Sequence, residues 1–199
     1  MSIRILEINP VQLAEYGRIP SRFLVHSILE VDLVGDGLGG MILREVQVEQ
    51  PYVKDYDAYG ELPTDWPLKF DVRKWGLFLA MDGREPVGAA AVAVDTTGVF
   101  MLEGRNDLAV LWDIRVHPKA RGVGISLFRY AAKWSRKQGC NQMKIETQNV
   151  NVPACRFYHK MGACLGEIRR FGYAAVPAVA HEVMLCWYLD LSPVPAWEV

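Results

Sequence analysis

Six consecutive residues, Arg121-Gly122-Val123-Gly124-Ile125-Ser126, set a guanidinium and two glycines between an apolar run and a basic one. Glycines there let backbone N–H groups turn toward one point. A helix starting at that place adds about half a unit of positive charge. Together they make a seat for an anion, suited to a pyrophosphate, and Arg121 can reach a phosphate directly. No Gly-Lys-Ser/Thr follows, so this is not a Walker loop, and the third glycine of the dinucleotide fingerprint is missing. The plainer alternative is a glycine turn with no ligand. Against it stand seven bases and no acid between Arg115 and Lys137: Arg115, Lys119, Arg121, Arg129, Lys133, Arg136 and Lys137. Such a run attracts an anion.

Two acids stand where strands should be apolar. Asp113 interrupts AVLWDIRV, and Glu146 lies toward the end of MKIETQ. A carboxylate in such a place needs a partner or a purpose. Burial would raise its pKa, as a base for an ammonium group requires. The competing readings are an ion pair of Asp113 with Arg115 or Arg105, and a structural hydrogen bond for Glu146. A third patch is acidic and aromatic. Asp55, Asp57, Glu61 and Asp65 alternate with Tyr52, Tyr56, Tyr59 and Trp66, and Glu103 and Asp107 could join them. Carboxylates pair with ammonium groups and aromatic faces add cation–π attraction. A solvated acidic loop is the alternative.

These groups need a scaffold. IRILEI (3–8) alternates and reads as a strand. Residues 10–50 are ambiguous, because Pro10, Pro20 and the glycines at 35, 37, 39 and 40 interrupt any long element. Residues 51–68 read as an ordered loop that carries function rather than core. From residue 70 the pattern sharpens. GLFLAM (76–81) and VGAAAVAVD (87–95) form a hairpin about Asp82-Gly83, and residues 99–105 suggest a short strand. AVLWDIRV (109–116) is apolar enough for a central strand. A helix then runs from the glycine segment to about Gln138, with Ile125, Phe128, Ala132 and Ser135 at helical spacing and Gly139 beyond it. MKIETQ (143–148) is a strand. NVPACRFYHKMG (151–162) is a short helix with Asn151 as N-cap, and 163–168 and 182–190 are the last strands.

The glycine segment and the Asn151 helix together carry a resemblance to the GNAT superfamily of acetyl-CoA-dependent N-acetyltransferases. The family pattern Gln/Arg-x-x-Gly-x-Gly/Ala is met by Arg121 and Gly124, with Ser126 in place of the usual last residue. Asn151, Ala154, Phe157 and Tyr158 match the spacing of the family's Asn-x-x-Ala-x-x-Phe-Tyr helix. A narrower resemblance, to the streptothricin acetyltransferases, rests on residues 102–118, 146–166 and 182–189, above all on ETQN followed by NVPACRFY.

The resemblance implies a mixed α/β (α+β) GNAT fold, with a central, mostly antiparallel sheet flanked by helices. It implies one domain over 1–199, with a core over 70–190 and an N-terminal elaboration over 1–70. It implies acetyl-CoA as cosubstrate, with its pyrophosphate on 121–126. Backbone N–H groups near Ile114, Arg115 and Val116 would hold the pantetheine arm and the thioester oxygen, and Asn151 and Ala154 would complete the cofactor-binding set. Tyr158 would face the sulfur. A phenol of pKa about 10 is protonated at neutral pH and can serve the leaving thiolate. Glu146 and Asp113 remain the two candidate bases. The implied acceptor is a small cationic amine, the β-lysine amine of a streptothricin-type antibiotic, met by Asp55, Tyr56, Asp57, Glu61 and Glu103. Other polyamines, aminoglycosides, protein lysines and a non-catalytic acyl-CoA module are the rival readings. Family members are often homodimers.

Composition closes off other classes. Apolar residues are 51% and charged residues 23%, the balance of a globular chain. No run of about 18 apolar residues could span a membrane, and Glu7 stands where a signal peptide needs its apolar run. A net charge of −1 disfavours a nucleic-acid partner. Cys140, Cys155, Cys164 and Cys186 form no CxxC pair and fit no zinc spacing, so no metal is expected. They read as reduced core thiols of a cytoplasmic protein.

Overall fold

The structure, a computed structural model, describes residues 3–59, 62–120 and 122–192. In chain order the elements are β1 (Ile3–Glu7), α1 (Leu13–Tyr16), β2 (Phe23–Leu33), β3 (Met41–Lys54), α2 (Trp66–Lys69), β4 (Gly76–Asp82), β5 (Glu85–Ala93) and β6 (Leu108–Val116). There follow α3 (Val123–Lys137), β7 (Gln142–Gln148), α4 (Val152–Lys160), β8 (Cys164–Arg169) and β9 (Met184–Asp190). Seven strands form one mixed sheet in the order β1-β4-β5-β6-β7-β9-β8, and β2 and β3 form a second, two-stranded sheet. The residues gather into two compact units. One holds Met1–Arg22, Asp55–Ile145 and Tyr188–Val199, and the other Phe23–Lys54 and Glu146–Trp187.

In the first unit, β4 is apolar on both faces because both are covered. Leu77 and Leu79 point into a core with Leu13, Tyr16, Ile19, Trp66 and Trp75. Phe78 points the other way, edge-on to Tyr130 and Trp134 of α3, with ring centroids 5.0 and 5.8 Å away. β5 alternates likewise: Ala89, Ala91 and Ala93 face the aromatic core, while Gly88 faces α3. Small side chains on β5 let rings and helix approach closely.

That core corrects an expectation. The segment 51–68 is not all functional loop: residues 51–54 end β3, and Trp66 is buried in the core and meets Tyr16 edge-on at 5.3 Å. At the start of the chain, β1 pairs with β4 from Ile3↔Asp82 to Glu7↔Phe78, and α1 buries Leu13 and Tyr16. Residues 99–105 are not a strand either. Phe100–Leu102 make a 3-10 turn closed by Glu103 in the left-handed conformation.

In the second unit, the ambiguous stretch resolves as the long hairpin of β2 and β3, turned through the glycine cluster at 35–40, where Gly35, Gly37 and Gly40 have positive φ. Asn149 ties this unit together. Its amide donates to the Leu29 carbonyl at 2.9 Å and accepts from the Val183 N–H at 2.8 Å. A buried ion pair, Lys54 with Glu182, adds a second tie.

A methyl group added at Gly88 would stand 2.8 Å from both Val123 Cγ1 and Leu127 Cδ1. Val123 is stiff and sits in the first turn of α3. Gly88→Ala is therefore expected to lower stability by about 1–3 kcal/mol through overpacking. Urea unfolding of the variant beside the parent protein measures this directly.

Candidate active site

In the first unit, β6 organises the candidate site residues. Against β5 its register shifts: Asp113 pairs with Ala91 and Leu111 with Val92, so Trp112 is an extra residue, a bulge. The parallel ladder with β7 includes Leu108↔Gln142 to Leu111↔Ile145, and β6 itself runs on to Val116. A bulge bends its strand and strengthens its twist. Beyond it, Ile114, Arg115 and Val116 remain paired to β5. Nothing in the sequence marks Trp112 as a bulge.

Past β6 the chain turns through His117 and Pro118 to Gly122, which has φ +83° and caps α3. An ideal Cβ there would meet nothing within 4 Å, so the glycine serves the backbone conformation rather than close packing. Val123 is buried, Gly124 and Ile125 are half-buried, and Ser126 is exposed. α3 has no acid in its first turn and Arg136 and Lys137 in its last, so its positive N-terminal end stays uncompensated from within. Arg121 and Glu61 lie outside the described residues.

The same strand carries a buried polar network. The Arg115 guanidinium is 4% exposed. Its Nε donates to Asp113 Oδ2 at 2.8 Å. Its Nη1 donates to both oxygens of Asp57 at 3.1 Å and to the Ile19 carbonyl at 3.1 Å. Tyr16 donates its phenol proton to Asp113 Oδ2 at 2.6 Å. Burial pushes the Tyr16 phenol well above its ordinary range, and the charge of Asp113 pushes it further. Burial works against the charge on Arg115, but Asp113, joined by Tyr16 and Asp57, more than offsets it and holds the guanidinium above its ordinary value.

This geometry bears on two readings. Arg115 does not belong to a basic surface; its side chain turns into the unit. Asp113 makes the ion pair with Arg115 that stood as the alternative to a base, and it also accepts from the Tyr16 phenol.

Several acids of the predicted patch have partners of their own. The Asp57 carboxylate is on Arg115. Asp55 accepts from the Ser21 hydroxyl at 3.0 Å and from the Asp57 N–H at 3.1 Å. Tyr56 accepts from the Tyr59 N–H at its carbonyl. Glu103 pairs with Lys144 and accepts from Tyr188 at 3.2 Å, so it is drawn into a separate cluster. Asp107 is fixed by Arg105.

In the second unit, Glu146 near the end of β7 accepts a 2.6 Å bond from the Tyr173 phenol, which itself accepts from Gln148 Nε2 at 3.0 Å. Tyr173 sits on the segment between β8 and β9, and no sequence signal points to it. The Asn151 side chain accepts from the Ala154 N–H at 3.2 Å and so caps α4, with Pro153 in the first turn. Tyr158 and Cys155 are on the buried face of α4, three residues apart. Among the described residues, no group of three or more His, Cys, Asp or Glu could hold a metal, and no helix is long and apolar enough to cross a membrane.

A bulged strand running into a left-handed glycine and the N-terminus of α3 turns backbone N–H groups toward a place an anion can occupy. The chain belongs to the acetyltransferase (GNAT) family, whose model matches residues 41–163. It is 31% identical over 185 residues to a streptothricin acetyltransferase of Escherichia coli, covering 92% of this chain and 94% of the relative. Among solved structures it is similar to nourseothricin acetyltransferase, with a TM-score of 0.75 and 25% identity over 96% of this chain and 99% of that one. It is also similar to a protein of Bacillus anthracis described as a streptothricin acetyltransferase and crystallised with acetyl coenzyme A. There the TM-score is 0.71 and the identity 26%, over 96% and 98% of the two chains. The protein is an acetyl-CoA-dependent acetyltransferase of the expected GNAT fold.

Burial pushes the Cys155 thiol up to about 12 and raises that of Cys140, so both stay protonated, and unreactive, well above neutral pH. Cys186 is buried too, whereas Cys164 is exposed rather than in the expected core. Iodoacetamide near pH 8 should therefore place a single adduct, on Cys164, in the native protein. All four cysteines should react after denaturation, and intact-mass spectrometry counts them.

Proposed function

We propose that this enzyme acetylates a primary amine of streptothricin-type antibiotics, at the β-lysine portion, and so protects the cell that makes it. The observation that carries the reading is the likeness to the Escherichia coli streptothricin acetyltransferase over nearly the whole of both chains. A cytoplasmic location goes with it, and so does the free-thiol state of the four cysteines.

The residues divide the work as follows. Acetyl-CoA supplies the acetyl group as an activated thioester. The backbone at Ile114–Val116 binds the amide-bearing arm and polarises the thioester oxygen, a role indifferent to side-chain identity. The backbone of Gly122–Ser126, at the positive end of α3, takes the pyrophosphate, with Arg121 as its direct charge partner. Asn151 and Ala154 fix the start of α4, and α4 carries Tyr158. The Tyr158 phenol holds a proton at neutral pH and gives it to the departing thiolate, because a phenol of pKa about 10 is in reach of a thiol near 8.5. Glu146 accepts the proton that the attacking ammonium must lose. The loop of Asp55, Tyr56 and Asp57, with Glu61, meets the cationic acceptor. Tyr173 steadies Glu146 through its hydrogen bond.

Purified protein with acetyl-CoA and streptothricin should release thiol and give a product heavier by one acetyl group, read by mass spectrometry. Acetyl-CoA binding without transfer to streptothricin would discard this acceptor. Tyr158→Phe should lower kcat by about tenfold or more, with calorimetric acetyl-CoA affinity unchanged. A parental kcat would remove Tyr158 from the chemistry. Glu146→Gln should abolish the acid-side fall of kcat/KM, because the group that must be deprotonated is gone. An intact acid limb would rule Glu146 out as the base.

A further inference from the structure

We propose that Arg115 is a positioning residue for the acceptor: it pins the loop Asp55–Tyr59 to β6 and so sets affinity for the cationic amine without touching it. This rests on the reading that the loop meets the acceptor.

Three separate stretches of chain meet on this one side chain. Asp113 belongs to β6, the Ile19 carbonyl to the segment after α1, and Asp57 to the loop. Strand alternation sends the Arg115 side chain to the face opposite those of Ile114 and Val116. The arginine thus faces inward, away from the side of Ile114 and Val116. The loop moves with Asp57. The Asp57 N–H donates to Asp55 Oδ1 at 3.1 Å and to Ser21 Oγ at 3.0 Å, and the Tyr59 N–H closes the turn on the Tyr56 carbonyl at 3.2 Å.

Charge makes the hold specific. Two carboxylates, Asp57 and Asp113, share one guanidinium, and the Tyr16 phenol contributes a donor but no charge. Without Arg115, two acids 23% and 17% exposed would face each other uncompensated. Leaving a buried charge without its partner is strongly unfavourable, and Asp57, on a loop rather than in a strand, is the one free to leave. Lysine cannot replace arginine here. The guanidinium spreads its donors over three acceptor groups in a fixed fork, whereas an ammonium is a single point charge.

The test uses Arg115→Lys, Asp57→Asn, their double variant and the parent enzyme. Amide hydrogen exchange without ligand comes first. In Arg115→Lys, residues 55–59 should exchange about tenfold faster or more, with β4 and β5 unchanged. Steady-state kinetics come second. The acceptor KM should rise by about tenfold while the acetyl-CoA KM stays within about twofold, the signature of lost acceptor-side binding. The double variant should be no worse than the worse single one, since both break the same link.

Parental exchange in the loop of Arg115→Lys overturns the proposal. So does a loosened loop with an unchanged acceptor KM, or an equal loss of acetyl-CoA affinity. If Arg115→Lys fails to fold, Asp57→Asn must show the same loop exchange and KM split, or the proposal falls. If the parent transfers acetyl to no amine, the functional reading fails by itself, and the exchange result still decides whether Arg115 holds the loop.

Discussion

The structure depends on a bulge in its central strand. Up to Leu111, β6 has β5 on one side and β7 on the other. At Trp112 one residue stands extra against β5, and a bulge bends the strand and strengthens its twist from there on. Backbone donors and acceptors beyond the bulge must still find partners, and β5 supplies them on one edge, from Ala91↔Asp113 to Gly88↔Val116.

A bulged strand needs rigid surroundings, and the two faces of the first unit provide them differently. α3 lies on Phe78 and Gly88, close enough that a methyl group would not fit. The helix is therefore held by shape, and its N-terminus is aimed by the same contact that supports the strand. The opposite face is filled by rings: Tyr16, Trp66, Phe70, Trp75 and Trp112 form a continuous chain, with centroids 5.2–5.9 Å apart. Trp112 belongs to that chain. The residue that creates the bulge is thus also packed against Phe70 and Trp75, so the distortion of β6 is anchored in the core.

What could be read from the sequence follows from whether the cause was local. The β4–β5 hairpin, the central strand, the Asn151-capped helix and the glycine seat come from period, turn chemistry and capping, all of which act within a few residues. The long β2–β3 hairpin was hidden because its glycine-rich turn looks like any breaker, and its strands are exposed enough to blur their alternation. The buried Trp66 was hidden because the acids around it suggested solvent. The bulge at Trp112 depends on register, which no single strand reveals. Tyr173 met Glu146 only through the fold, so a plain loop tyrosine carried no mark of it. Arg115 is the sharpest case. Its sequence neighbours made it one of seven bases in a row, while its partner Asp57, 58 residues away in the chain, takes it out of that row.

The Arg115 cluster also bears on why a polar network is kept inside a unit that has apolar residues enough to fill it. Buried ion pairs contribute little net stability compared with apolar replacements of the same size. What they supply is register: a guanidinium with two carboxylates and a carbonyl around it is satisfied in one arrangement only. An apolar side chain at position 115 would tolerate a loop shifted by an ångström, as apolar contacts are non-directional. For a reaction whose rate depends on an amine and a thioester meeting at about 3 Å, that tolerance is expensive. The arginine is better explained by the precision it gives than by the stability it adds.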